Sequence, residues 1–259
     1  MNHLMFLGCG TNPDGRLRHH ITGLNKSEKS LRVIALHDNG QLLVKKCQLS
    51  TEMTARLWSC LRSFTSLNHL TISDSSLGFP SSPPELPSVT ELLIVSVTSQ
   101  SYEGLLSSLP GLRVIDITID DAERDIAQIT AGLRRTGGQQ LINIKLRTLY
   151  TLPSEKKSVS RETIRGMGLL IREQTKNLQR LWLYGVECTD EKDLVYLLEC
   201  CRHVKTMSEL WLHWCGTGEG GRLESHLKGL QASSSGNLSV MLRHDNSYKR
   251  HKYRITHTD

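Results

Sequence analysis

Three groups of residues have types and spacing that can support chemistry. Gly216-Thr-Gly218-Glu-Gly220-Gly221 spells G-x-G-x-x-G, a pattern in which glycines let a phosphate approach backbone N–H groups at a helix start. Cys200, Cys201 and His203, and separately His19 and His20, offer metal-binding side chains. Trp182, Trp211 and Trp214 recur in short segments that also carry Lys145, Arg147, Arg180, Tyr184, His213 and Arg243. Aromatic rings beside guanidinium groups are the material of binding hot spots.

The first two groups have plainer explanations. Any repeated strand–loop–helix unit supplies the context of G-x-G-x-x-G. A nucleotide-binding strand is buried on both faces, whereas Leu210-Trp-Leu-His-Trp alternates apolar and outward-facing residues. The glycines fit a tight turn into a short helix. Structural zinc needs four ligands with paired spacing, but C-x-x-C is absent and Cys201 falls on an apolar helical stripe. G-x-S-x-G is also absent. The sequence therefore predicts no cofactor, no metal and no catalytic residue.

The third group depends on the elements that position it. Leu31-x-x-Ile34-x-Leu36-x-x-Asn39 sets a template that returns from Leu67, Val89, Leu112, Leu141, Leu178 and Met207, with weaker copies from Met1 and Asn237. Successive starts lie 22 to 37 residues apart, most often 29 or 30. Alternation of apolar and other residues within each copy predicts a short strand with one buried face. The ninth position favours a small or polar side chain that bonds the turning backbone, and Cys9, Asn39, Ser75 and Cys215 suit it. Such strands are stable only when stacked on their neighbours.

Helical spacing follows several strands. It is seen at Leu57, Cys60, Leu61 and Phe64; at Ile126, Ile129 and Leu133; at Ile164, Met167 and Ile171; at Leu194, Leu197, Leu198 and Cys201; and at Leu223, Leu227 and Leu230. Ser160 and Thr189 stand as capping hydroxyls before acidic first turns. Four prolines between residues 77 and 88 predict an extended connection.

The expected fold is thus an α/β leucine-rich-repeat solenoid of about nine repeats, a horseshoe with a parallel β-sheet on its concave face and helices and loops on its convex face. Residues 1–245 form the repeat domain, and residues 246–259 a basic C-terminal tail or partial cap.

Repeats of about 29 residues with alternating strand and helix resemble the ribonuclease-inhibitor-like class of leucine-rich repeats. Leu67-Asn-His-Leu-Thr-Ile-Ser-Asp and Leu178-Gln-Arg-Leu-Trp-Leu-Tyr-Gly look like the C-terminal repeat region of NOD-like (NLR) innate immune receptors. The resemblance implies a non-catalytic region that senses a ligand or restrains a preceding nucleotide-binding module. A G-x-x-x-x-G-K-[ST] phosphate loop is absent, and Met1 falls directly on a template copy. Both fit a piece of a longer receptor.

Residues between the buried strand positions face out. In the N-terminal half these are His37, Asp38, His69, Thr71, Ser73 and Asp74. In the C-terminal half Glu209 and His244 also face out, and the aromatic and basic members are Lys145, Arg147, Arg180, Trp182, Tyr184, Trp211, His213, Trp214 and Arg243. These nine residues are the expected partner-binding set on the concave face, with Trp182 and Trp211 in one column and touching. The expected partners are a protein or microbial ligand, or the receptor's own nucleotide-binding module. Nucleic acid is a lesser alternative, raised by the formal charge of +6 and the basic tail. Seven cysteines, an odd number with no cluster at either end and with adjacent Cys200 and Cys201 in a helical segment that disfavours a bridge between them, suit a reducing compartment and predict a cytoplasmic protein. No apolar run is long enough to span a bilayer.

Overall fold

The computed structural model describes residues 3–6, 32–36, 40–62, 64–80, 82–95, 101–137, 140–148, 158–230, 237–244 and 249–258. His37, Asp38, Asn39, Cys9, His19 and His20 lie outside the described residues. The chain forms two compact units, Met1–Gly111 and Leu112–Asp259. Both are α/β, with strands and helices in alternation and mostly parallel strand pairing.

The first unit contains β1 (His3–Phe6), β2 (Arg32–Leu36), β3 (Gln41–Lys45), β4 (Gln48–Leu49), α1 (Thr51–Leu61), β5 (His69–Ser73), β6 (Ser76–Leu77), β7 (Glu91–Val95) and α2 (Tyr102–Ser107). Strands β3, β5 and β7 pair in parallel, with Leu42, Leu70 and Leu92 in register. The strand at residue 32 is not the direct predecessor of β5. It pairs antiparallel with β3, forming a hairpin. The copy that steps onto the Leu67 template is therefore Leu42-x-Val44-x-x-Cys47, which alternates as cleanly but starts on Asn39 instead of leucine.

The second unit contains β8 (Val114–Ile119), α3 (Ala122–Thr136), β9 (Asn143–Thr148), β10 (Ser158–Val159), α4 (Arg161–Gln174), β11 (Arg180–Tyr184), β12 (Glu187–Cys188), α5 (Glu191–Arg202), β13 (Glu209–His213), α6 (Arg222–Leu230), β14 (Leu238–Arg243) and β15 (His251–Ile255). Strands β8, β9, β11, β13 and β14 pair in parallel, and β15 closes the sequence antiparallel to β14. The segment set apart as a tail or partial cap thus contains a paired strand. Within each unit a second ladder, β4 on β6 and β10 on β12, follows the strands.

The core consists of columns of residues in register. Ile115, Ile144, Leu181, Leu210 and Val240 form one column, and Ile117, Leu146, Leu183, Leu212 and Leu242 the next; all are buried. Burying an aliphatic side chain of this size contributes about 1.5–3 kcal/mol. Each strand obtains that burial only from its neighbours and the helices behind it.

A shared turn ends the strands. Lys46, Asp74, Gly185 and Trp214 occupy the same template position and all have positive φ. Their N–H groups donate to the last strand residue of the following copy: Ser73, Val95, His213 and Arg243. One position later the side chain turns inward. Ser75 Oγ donates to Ser73 O at 2.7 Å, and Cys215 Sγ contacts His213 O at 3.4 Å. The ninth position therefore satisfies backbone acceptors at a bend, which explains its small or polar character.

The helices keep the expected stripes except in α1 and at Leu230 of α6, which is half-buried, and the cap of α5 shifts by one residue. In α1 the buried residues are Thr54, Leu57, Trp58 and Leu61, whereas Cys60 is exposed. Trp58 takes the inward position, because i, i+3, i+4 and i+7 run from Thr54. The cap of α5 is Asp190, one residue after Thr189, and its carboxylate accepts from Lys192 N. Ser160 caps α4 as expected. Among the described residues no helix is long and apolar enough to cross a membrane.

Candidate functional site

The strand register of the second unit sorts its outward residues into three rows. The first runs Asn143, Arg180, Glu209, Ser239 and Arg254; the middle row runs Asp116, Lys145, Trp182, Trp211, Met241 and Lys252. The third runs Thr118, Arg147, Tyr184, His213 and Arg243. Eight of the nine expected residues fall on these rows. Trp214 lies just beyond the third, at the turn after β13.

Trp182 and Trp211 stack with ring centroids 4.7 Å apart and planes 24° apart. Neighbouring parallel strands are about 4.8 Å apart, so register alone places the rings at stacking distance. Lys145 Nζ lies 5.3 Å from the Trp182 ring centroid. The Arg243 guanidinium carbon lies 3.9 Å from the Trp214 ring centroid. Trp214 has φ +54 where Gly185 stands one copy earlier. A bulky residue in the left-handed region is strained, a condition that persists where surrounding contacts fix it.

Not every member is open. His244, expected to face out, is buried, and His213 is only 1% exposed. Its ring contacts Tyr184, Trp211 and Trp214 at centroid distances of 4.7, 5.4 and 6.4 Å. Burial, then the charges of Arg250 and Arg243, push its pKa down to about 4. The imidazole is therefore neutral at pH 7 and is packed among the aromatic rings. Burial likewise raises the pKa of Tyr184.

Sequence reasoning missed Asp116 and Asn143. Asp116 binds Lys145 at 3.1 Å and Arg147 at 2.8 Å. The signal was present, since Asp116 stands between Ile115 and Ile117 in the template from Leu112. Arg250 carried no such signal, because β15 reverses direction and leaves the repeat period. The three rows hold six cations, Arg147, Lys145, Arg180, Arg243, Lys252 and Arg254, against Asp116 and Glu209. Such a face favours anionic groups.

The glycine loop shows what occupies a helix start in this chain. Glu191 Oε1 accepts from Gly218 N at 3.1 Å, and Oε2 from Leu223 N at 3.0 Å. A carboxylate from the preceding helix thus fills the place a phosphate would take. A Cβ at Gly221 would collide with the same carboxylate. Glu123 serves α4 in the same way, accepting from Ser160 N, Ser160 Oγ and Thr163 Oγ1. Burial raises the Glu123 pKa, but these hydrogen bonds outweigh it and hold the carboxyl below its ordinary range. Glu191→Ala is expected to cost about 1 kcal/mol in urea unfolding, by leaving the helix-start Leu223 N–H and the loop Gly218 N–H without their acceptor. An unchanged midpoint would show that water replaces the carboxylate without loss.

The other candidate chemistry is also accounted for. Cys201 is fully buried, and burial drives its thiol upward; Cys188 is pushed up to about 12, chiefly by burial. Such thiols stay protonated and are poor nucleophiles at neutral pH. Exposed His203 meets Thr258 Oγ1 through Nδ1 at 3.0 Å. Among the described residues the cysteines form no disulfide, and no group of three or more His, Cys, Asp or Glu is placed to hold a metal ion. No family model matches the chain, and no curated protein matches it significantly.

Proposed function

We propose that this chain is a non-catalytic recognition module, a leucine-rich-repeat solenoid of the ribonuclease-inhibitor-like class. In this reading it is the ligand-sensing or autoinhibitory region of a cytoplasmic NOD-like immune receptor, with the rows of β8 to β15 on the concave side of a horseshoe. The observation that carries recognition is the stacked, half-exposed Trp182–Trp211 pair, set among six cations and two carboxylates. Paired aromatics supply contact area with little side-chain entropy to lose, and the surplus positive charge selects an acidic partner. The receptor assignment rests on the repeat pattern and its resemblance.

An acidic protein surface fits better than nucleic acid. In register Trp182 is flanked by Lys145 and Trp211, and Trp211 by Trp182 and Met241. Single-strand binding works by stacking bases on open ring faces, and these rings already have neighbours on both sides.

A short poly-glutamate peptide is the probe, followed through tryptophan fluorescence. It is expected to bind with an affinity that falls as salt rises. Trp211→Ala should weaken binding at least about tenfold (~1.4 kcal/mol) while the melting temperature stays near that of the parent. Equal losses of binding and stability would make the pair structural. Absence of binding would reject the acidic partner.

A further inference from the structure

One pocket, about 170 Å³ in volume, opens among β8, β9 and β11 of the second unit. Val114, Asp116, Asn143, Lys145, Arg180 and Trp182 are among the residues that line it. Three of these side chains hold buried polar atoms without a hydrogen-bond partner: the Trp182 Nε1–H donor, the Asn143 Oδ1 acceptor, and Asp116 Oδ1, which is ion-paired with Arg147. Buried polar groups are normally paired; unpaired ones also occur elsewhere among the described residues, at Thr54, Gln174 and Thr217 for example, but here they meet on one pocket. An unmatched donor and an unmatched acceptor lining one small cavity point to a ligand that offers the complement of both.

The charges define that ligand further. Asp116 is ion-paired with Lys145 through Oδ2 and with Arg147 through Oδ1, so its charge is neutralised within the cluster even though Oδ1 accepts no hydrogen bond. Arg180 is 46% exposed, and its ion pair with Glu209 is long at 3.9 Å. The pocket therefore presents a guanidinium, a neutral N–H and a neutral carbonyl oxygen. A bare anion satisfies the first two and is repelled by the third.

We propose that this pocket binds a carboxylate adjacent to a peptide N–H. The carboxylate accepts from Trp182 Nε1–H and the Arg180 guanidinium, and the peptide N–H donates to Asn143 Oδ1. An acidic side chain with its neighbouring backbone amide, or the C-terminal carboxylate of a chain, carries this chemistry. The proposal deepens the recognition reading and rests on it. It makes the pocket the polar anchor and the adjoining tryptophan pair the platform for the rest of the bound segment.

The test uses the whole chain, ¹⁵N-labelled, with its indole N–H resonances followed by NMR. Trp182→Phe identifies the Trp182 signal and keeps an aromatic ring against Trp211. The probes are acetyl-Ala-Ala-Leu with a free carboxylate, its C-terminal amide, its analogue N-methylated at the last peptide bond, and acetyl-Ala-Asp-Ala-amide. The free acid or the aspartate peptide is expected to shift the Trp182 signal saturably, and the one that does so identifies the source. The binding peptide should lose at least about tenfold in affinity with Trp182→Phe and with Arg180→Gln. If the free acid binds, the amide and the N-methyl analogue should not.

Three results overturn the proposal: no saturable shift with either carboxylate, equal binding of inorganic phosphate, or affinities unchanged in both variants. Poly-glutamate separates the two levels of the argument. If it still binds in a Trp211-dependent manner while the tripeptides fail, the pocket falls and the recognition surface stands. If it fails as well, both fall.

Discussion

Replacing Trp58 with alanine is expected to lower the stability of the first unit by about 4 kcal/mol. Trp58 is fully buried in α1. Its indole meets Phe79 edge-on with centroids 5.3 Å apart, and its Nε1 donates to Ser108 Oγ at 3.0 Å. Truncation removes the largest buried side chain of the unit and leaves a hole among residues held from several elements, which limits collapse. Ser108 loses a donor but keeps its own bond to Leu105 O at 2.6 Å, so the cost is mainly cavity and not an orphaned hydroxyl. Trp58→Phe should recover most of the loss. Native-state hydrogen exchange of β5 and β7 reads the effect within the unit. A loss below about 1 kcal/mol would mean that the site closes around the smaller side chain.

The contrast with Trp211 shows which parts of this molecule were legible in the sequence. Trp211 sits between Leu210 and Leu212, and strand alternation alone turns it outward. Constant register then stacks it on Trp182. Trp58 sits in a helix, where the sequence offered two adjacent stripes and the reading took the one through Cys60 instead of the one through Thr54. The two stripes share Leu57 and Leu61 and are offset by three residues, which at about 100° per residue turns the face by only about 60°. The hairpin of β2 and β3 was hidden for another reason. β3 alternates and β2 is apolar at four consecutive positions, and neither pattern reports the direction of pairing. The His213 imidazole lies on the predicted row, but its burial comes from Tyr184, Trp211 and Trp214 closing over it, which no period encodes. The unmatched Asn143 Oδ1 and Trp182 Nε1 are likewise properties of packing.

Glu224→Gln is expected to cost the second unit about 2–3 kcal/mol at pH 7 and to loosen the strand that borders the exposed face. Glu224 lies in the first turn of α6 and is 5% exposed. Lys228 Nζ lies 2.7 Å from its Oε1, Gly220 N donates to Oε2 at 2.7 Å, and the Tyr253 hydroxyl donates to Oε1 at 3.1 Å. His244 Nε2 lies 3.3 Å from Oε2. Lys228 and then Gly220 lead the effects that hold the carboxyl at about 2, well below its ordinary 4.5. Burial, reinforced by the carboxylate, pushes the Tyr253 phenol up to about 12.

A carboxyl with a depressed folded pKa contributes stability in full above about pH 4.5 and loses it as pH falls toward 2. The stability gap between parent and Glu224→Gln should therefore close across that window. A gap independent of pH would mean that the charge contributes nothing and only shape is lost.

The consequence for the site runs through β15. Tyr253 anchors that strand, which places Lys252 and Arg254 beside Met241 and Ser239, while Arg250 helps hold the His213 pKa near 4. If the Glu224 carboxylate keeps β15 in place, its loss should expose His213 and move its NMR titration midpoint up toward 6.5. It should also weaken the salt-dependent binding of poly-glutamate. A His213 midpoint that stays near 4 would confine Glu224 to the support of α6 and separate the basic edge of the face from it.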